Sequence, residues 1–238
     1  MTLQRAEHHQ PGRPRKLAAF LPGYLPQLSV FQKLKCADVC LAADDLKYTR
    51  TANLNRTGIK NINGKLWLTV PVLSAGNSIQ KINTVRIDNH ENWRQKHYRS
   101  LVTNYRNSPY FYRFIDVLET IYTREWHFLA DLNAALLEVA RKELRLNAEF
   151  IRGSDFSEND NMNLRLVEIM QATGCAVYVA EEFYKPYIDV ALLREHQLTV
   201  EFIAPKPPFY YQQFERFIPD LSCIDLLFNE GEMSMEKL

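Results

Sequence analysis

Three side chains suited to proton transfer and substrate contact occur close together in the chain: Trp93, Lys96 and His97. Their spacing of three and four residues predicts that they share one face of a helix. A histidine can act as a general base, and a neighbouring ammonium group lowers its pKa. The alternative interpretation is a histidine that packs or caps within the core.

Acidic residues follow the second apolar stretch of the chain. Asp44 and Asp45 come directly after it, and Tyr48 lies three residues further on. Acids at the carboxyl end of a strand can hold a metal, a ribose or an amine. The alternative is a turn cap with a solvated second carboxylate.

A polar and cationic set comes next, with Asn55 beside Arg56 and with Lys60 four residues later. Guanidinium and ammonium groups hold phosphates and carboxylates. The same charges also occur on ordinary edge strands, where they discourage pairing with other chains.

Several well-known site patterns are absent from the sequence. There is no H-x-x-x-H pair and no C-x-x-C pair, so a zinc centre has little support and no metal site is predicted. G-x-S-x-G, P-loop and G-x-G-x-x-G patterns are also missing. Their absence argues against an α/β-hydrolase, a P-loop NTPase and an ordinary dinucleotide enzyme.

Composition limits the function further. The net charge of +1 over 238 residues provides no global basic field, so nucleic acid is not an expected partner. No apolar run approaches the roughly 20 residues of a membrane span, and no signal peptide is evident. Four cysteines do not form a disulfide scaffold, and we expect a cytoplasmic protein.

The order of elements predicts an α/β fold. A strand over 16–21, a helix over 25–37 and a strand over 38–43 form a β-α-β start, and strands and helices alternate again after residue 149. We expect a Rossmann-like mixed sheet with a central helical insertion. Residues 1–15 are predicted to be a disordered tail, 16–238 a single domain, and 92–147 a helical lobe.

Taken together, these segments resemble the WbqC-like protein family over about residues 16–232. The resemblance rests on the following motifs: Pro22-x-Tyr24-Leu25-Pro26, Asp45-x-x-Tyr48, Asn55-Arg56-x-x-x-Lys60, Trp67-Leu68-Thr69-Val70-Pro71-Val72, Trp93-x-x-Lys96-His97, Tyr105-x-x-x-Pro109-Tyr110-Phe111, Tyr187-Ile188-Asp189, Gln212, and Phe217-x-Pro219-x-Leu221-Ser222-x-Ile224-Asp225-Leu226-Leu227-Phe228-Asn229-x-Gly231.

The resemblance implies a bacterial protein of polysaccharide (O-antigen) or other biosynthesis, with an acyl or aminoacyl (glycine) transferase as the expected activity. The substrate would be a small molecule, with an acyl-carrier or coenzyme A donor as one option, and no cofactor is assigned. The expected catalytic residues are His97, Lys96 and Asp45. The expected substrate-binding residues are Tyr24, Tyr48, Asn55, Arg56, Lys60, Trp93, Tyr105, Gln212 and Asp225.

The chain departs from the family pattern at Leu21, Gln27, Pro207–Pro208 and the Ala180–Phe183 loop, where the usual family residues are Gln, Trp, a His-Pro pair and a glycine-containing loop. These departures suggest altered substrate choice or lost catalysis. Two alternatives to a transferase therefore stay open. One is a nucleotide-binding protein, and the other is a non-catalytic partner protein within a biosynthetic pathway.

Overall fold

Five parallel strands form the sheet that organises the first part of the fold. A computed structural model describes residues 12–73 and 80–238. The strands are β1 (Lys16–Phe20), β2 (Val39–Ala42), β5 (Glu149–Arg152), β6 (Val177–Glu181) and β7 (Thr199–Ile203), in the order β5-β2-β1-β6-β7. The predicted α/β class and the β-α-β start are confirmed.

Two compact units divide the chain. The first takes in the described residues up to 20 together with 32–43 and 147–206, and it holds the parallel sheet. Leu17 of β1 and Val39 of β2 are fully buried, and they pack with Ile169 and Met170 of helix α5 (Met162–Ala172). Helix α6 (Val190–Glu195) adds Leu193 to the same core.

The second unit takes in 21–31, 44–146 and 207–238. It contains the antiparallel hairpin β3 (Arg56–Asn61) and β4 (Gly64–Thr69), and the helices α2 (Trp93–Tyr105), α3 (Phe111–Thr123), α4 (Leu129–Glu143), α7 (Cys223–Glu230) and α8 (Ser234–Lys237). The predicted central helical region corresponds to α2–α4. The five-stranded sheet is wholly parallel rather than mixed, and the antiparallel strand pair β3–β4 forms a separate two-stranded sheet.

Prolines and a positive backbone φ set the ends of helix α1 and strand β4. Helix α1 (Leu28–Leu34) begins three residues later than predicted, because Leu25 has a φ of 43° and Pro26 follows it. Strand β4 ends at Thr69, two residues before Pro71, which has no N–H for a ladder. Positions 1–11 of the predicted tail at 1–15 lie outside the described residues, and Arg13 and Arg15 form ion pairs with Asp38 and Glu149.

Apolar periodicity explains the three central helices. The buried side chains of α3 recur at helical spacing and include Phe111, Phe114, Leu118 and Ile121. No helix within the described ranges is both long enough and apolar enough to cross a bilayer.

Gly231 ends α7 at a position that only glycine satisfies without strain. Its φ is +53°, and a Cβ atom there would lie 2.3 Å from the Tyr110 ring. Both the dihedral angle and the ring exclude a larger residue. The ring is held in place because the backbone N–H of Tyr110 donates to the Phe228 carbonyl of α7.

We predict that Gly231→Ala lowers the free energy of unfolding by about 3 kcal/mol, through positive-φ strain and overpacking together. Gly23→Ala is the matched control, since its nearest neighbour would lie at an ordinary 3.9 Å. Urea denaturation of both variants measures the difference. Equal midpoints for the two variants would contradict this account of the helix end.

Candidate functional site

The loop at residues 22–26 is anchored by hydrogen bonds from three directions. Tyr24 N–H donates to the carbonyl of Leu54 at 2.9 Å, and the Asn133 amide of α4 donates to the carbonyls of Pro22 and Leu54. The Leu25 carbonyl accepts from the hydroxyls of Thr57 (2.8 Å) and Ser222 (3.1 Å). These bonds hold Leu25 in its left-handed conformation and fix the direction of the neighbouring Tyr24 side chain.

His97 lies in a buried aromatic cluster on the inner face of α2. Its Nδ1 is 2.9 Å from the Tyr24 hydroxyl, which also hydrogen-bonds to the Tyr122 hydroxyl. Trp93 packs edge-on against the imidazole at 5.4 Å between ring centroids. The structure therefore brings together three of the predicted site residues, Trp93, His97 and Tyr24.

Lys96 is not part of this cluster. Its side chain is exposed and lies 3.7 Å from the Glu91 carboxylate, whereas Trp93 and His97 are buried. Lys96 lies at the edge of the helix face that Trp93 and His97 share, and that edge of α2 faces solvent. Lys96 acts on His97 only through its charge, which lowers the histidine pKa.

Both sides of the His97 ring are engaged by the protein. The ring bonds to Tyr24 through Nδ1 and to the backbone of Thr69. Burial lowers the His97 pKa to about 4, and the Thr69 bond opposes this shift. Near neutral pH His97 is therefore a neutral, fully hydrogen-bonded group, and it must give up one of these bonds before it can take a proton from a substrate.

A second buried network centres on Asp225, in the first turn of α7. Its carboxylate accepts from the hydroxyls of Tyr105 (2.6 Å) and Tyr210 (2.7 Å). The Tyr105 oxygen in turn accepts from the backbone N–H of Lys60 at 2.9 Å. This network brings together three predicted residues from distant parts of the chain: Lys60, Tyr105 and Asp225.

Charges in this network shift the pKa values of its members. Burial raises the pKa of the Asp225 carboxyl, and its hydrogen bonds and the Lys60 charge oppose that shift. Burial lowers the pKa of the Lys60 ammonium group, and the Asp225 charge opposes that shift in turn. Each ion thus compensates part of the desolvation of the other.

Lys60 also lines a pocket of about 350 Å³ at the end of the hairpin. Its Nζ donates to the Phe214 carbonyl at 3.2 Å, although the residue is only 2% exposed. The remaining walls are Asn61, Ile62, Gly64, Phe214, Glu215 and Arg216.

Gln212 positions the loop that forms one side of this pocket. Its amide bonds in both directions to the backbone of Ile218, at 2.8 Å and 2.9 Å, which closes the intervening loop. Phe214 within that loop has a φ of 67°. Gln212 therefore closes this loop, and its substrate-binding role stays a prediction.

The other predicted residues lie along the chain between residues 44 and 56. Asp44 and Asp45 are buried, and Tyr48 has a buried hydroxyl with no hydrogen-bond partner within the described residues and a pKa raised by that burial. Asn55 bonds through its amide to the Val70 carbonyl at 2.8 Å, which closes the open end of the hairpin. Arg56 stacks on Trp67 at 3.9 Å from the ring centroid.

Sequence reasoning missed four contributors to these sites: Tyr122, Asn133, Tyr210 and Arg216. The aromatic run at 209–217 was the only signal for Tyr210, and it gave no indication of the bond to Asp225. No group of three or more His, Cys, Asp or Glu side chains within residues 12–73 and 80–238 is arranged to hold a metal.

Comparisons with known proteins agree with this architecture. The fold is that of an α/β protein with a five-stranded parallel sheet and a central helical region, α2–α4. The model of the WbqC-like protein family matches residues 22–237, and the chain belongs to that family. It is also 31% identical over 219 residues to the uncharacterized protein Rv1507c of Mycobacterium tuberculosis. This alignment covers 91% of this chain and 94% of the relative.

We predict that His97 makes stability depend on pH between about 6.5 and 4. In this range the unfolded state binds a proton that the folded state excludes, so acidification lowers the free energy of unfolding by about 3 kcal/mol. His97→Gln should flatten this dependence in denaturation series at several pH values. His127→Gln, which changes an exposed histidine, should retain it, and parallel curves for all three proteins would contradict the assignment.

We also predict that Tyr105→Phe lowers the free energy of unfolding by about 3 kcal/mol. The change removes a donor to buried Asp225 and leaves the Lys60 N–H without its acceptor. Tyr112→Phe is the control because that ring is 81% exposed. An equally small effect in both variants would show that the network adds little to stability.

Proposed function

We propose that this protein transfers an acyl or aminoacyl group, glycine included, to a sugar or other small metabolite. We further propose that the pocket at Lys60 holds the anionic part of a substrate. The observation that carries the proposal is a lysine, buried close to the Asp225 carboxylate, that forms part of the wall of a pocket.

The hydrogen bonds of Lys60 favour an anion as the ligand. An ammonium group has three donors, and within the described residues Nζ donates only to the Phe214 carbonyl. Two donors remain for an oxygen in the pocket. Phosphate and carboxylate oxygens form the strongest bonds with such a group, and Arg216 brings a second cation to the same wall.

Transfer requires that an oxygen or nitrogen of the acceptor bonds to the carbonyl carbon of the donor. The bond between that carbon and the leaving group breaks, and the leaving group takes up the acceptor's proton. Lys60 would stabilise the negative charge of the donor, which fits an activated amino acid, a coenzyme A thioester or a carrier-bound acyl group. The proposal needs no resident metal or cofactor.

A second candidate function is binding without catalysis, including nucleotide binding. The observation that favours it is the state of His97, whose ring is buried and bonded to Tyr24 and Thr69. A base in that state gains a substrate proton only after a rearrangement. Family departures at Leu21 and Gln27 fit the same interpretation.

We predict that Lys60→Met lowers transfer at least tenfold, because it removes the charge that holds the donor. Purified protein would be incubated with glycyl, acyl-coenzyme A and carrier-bound donors and with sugar acceptors, and products would be measured by mass spectrometry. Lys142→Met is the matched control, since that side chain is 68% exposed on α4.

Transfer that survives Lys60→Met unchanged would contradict the role assigned to this pocket. A ligand that raises the melting temperature of the wild type but is never consumed would favour binding without catalysis. Ligand at about 100 times its Kd should stabilise the folded state by about 2.7 kcal/mol, so thermal melts detect it readily.

A further inference from the structure

One face of the β3–β4 hairpin collects cations around a tryptophan. In the antiparallel register Gly58 lies opposite Trp67, Lys60 opposite Lys65, and Arg56 opposite Thr69. Residues that are directly opposite, and those two positions along, share a face of the sheet. The hairpin face is therefore formed by Arg56, Gly58, Lys60, Lys65, Trp67 and Thr69.

Trp67 is in contact with two of these cations. The Arg56 guanidinium lies 3.9 Å from the centroid of the indole ring, and the Lys65 ammonium group lies 4.4 Å from it. Trp67 remains 40% exposed. Gly58 makes this arrangement possible, because a Cβ atom there would lie 2.0 Å from Lys65 Cε.

Within the described residues the cations of the hairpin face form no direct ion pair, although the more distant Asp225 charge acts on Lys60. Lys60 and Lys65 face each other directly, a pairing that destabilises a sheet. Within the described residues, no carboxylate lies within 4 Å of the charged groups of Arg56, Lys60 or Lys65, and the buried Arg56 Nε has no hydrogen-bond partner. An anionic ligand would relieve the repulsion between the two lysines.

The pocket described above begins at the same end of the hairpin. Lys60 belongs to both the hairpin face and the pocket wall, and Arg216 adds a further cation there. Gly58, opposite Trp67, and Lys60 are two residues apart, or about 7 Å along the strand. An aromatic platform thus lies about 7 Å along the strand from a cationic pocket.

We propose that the hairpin face binds a nucleoside diphosphate, either alone or as part of a diphosphate-linked substrate. The base lies against Trp67 beside the Arg56 guanidinium. The Lys65 ammonium group, at the end of an exposed and flexible side chain, turns from the ring to the phosphates. The terminal phosphate reaches Lys60 and Arg216 in the pocket. In this one respect the inference rests on the proposed function, which places an anion at Lys60.

Two features select this ligand class over simpler ones. Inorganic anions need the cations but make no use of an exposed indole, whereas every nucleobase has a π-face that stacks on one. A nucleoside monophosphate reaches Lys65 but carries one phosphate fewer toward the pocket. Glu215, the acidic residue among the pocket walls, is exposed, so its carboxylate can turn toward solvent.

Calorimetric titration with ADP, UDP, adenosine and pyrophosphate tests the proposal. We expect both diphosphates to bind more tightly than pyrophosphate or adenosine. Trp67→Ala should weaken ADP binding by about 10- to 100-fold and leave pyrophosphate binding unchanged. Trp67→Phe keeps a ring and should restore much of the loss, whereas Lys65→Met should weaken both ligands. Tyr112→Ala, which changes another exposed ring, should have no effect.

The outcomes separate this inference from the proposed function. ADP that binds no more tightly than pyrophosphate, or that is insensitive to Trp67→Ala in a folded variant, overturns the inference. If transfer still depends on Lys60 in that case, the proposed function stands. Nucleoside diphosphate binding that depends on Trp67, in a protein without transfer activity, supports the inference and contradicts the transferase.

Discussion

The buried carboxylate of Asp225 is the constraint on which much of the second unit depends. It joins α7 to Tyr105 of α2, to Tyr210 and, through the Tyr105 hydroxyl, to β3 at Lys60. Burying a carboxylate is unfavourable unless hydrogen bonds and an opposite charge compensate it, and this site supplies both. The same charge makes burial of Lys60 tolerable, so the structural network and the proposed anion-binding pocket depend on the same pair of charges.

The two buried networks have different consequences for function. The Tyr24–His97–Tyr122 cluster is internally satisfied, and the anchored loop at residues 22–26 fixes its geometry. Lys60 retains donors that face a pocket. A satisfied polar network stiffens a fold, whereas a group with unused donors can bind a ligand. Substrate contact is therefore better supported at Lys60 than at His97, although both are among the residues on which the resemblance to the family rests.

Much of the fold could be predicted from the sequence, because strands and helices have local periodicity. The β-α-β start and the central helices were both predicted in this way. The site was harder to predict, since some of its contacts join residues more than 100 positions apart, as Tyr105 and Asp225 are. Helical spacing also grouped Lys96 with His97, but it could not show which side of α2 faces solvent.

Nitrogen-detected NMR titration of the lysine ammonium groups tests the central claim most directly, with Lys60→Arg used to assign the Lys60 signal. The account predicts that Lys60 titrates below the exposed lysines, because burial lowers its pKa. Removal of the Asp225 charge in Asp225→Asn should lower it further, and a bound anion should raise it. A Lys60 signal that titrates with the exposed lysines and responds to neither change would contradict the account.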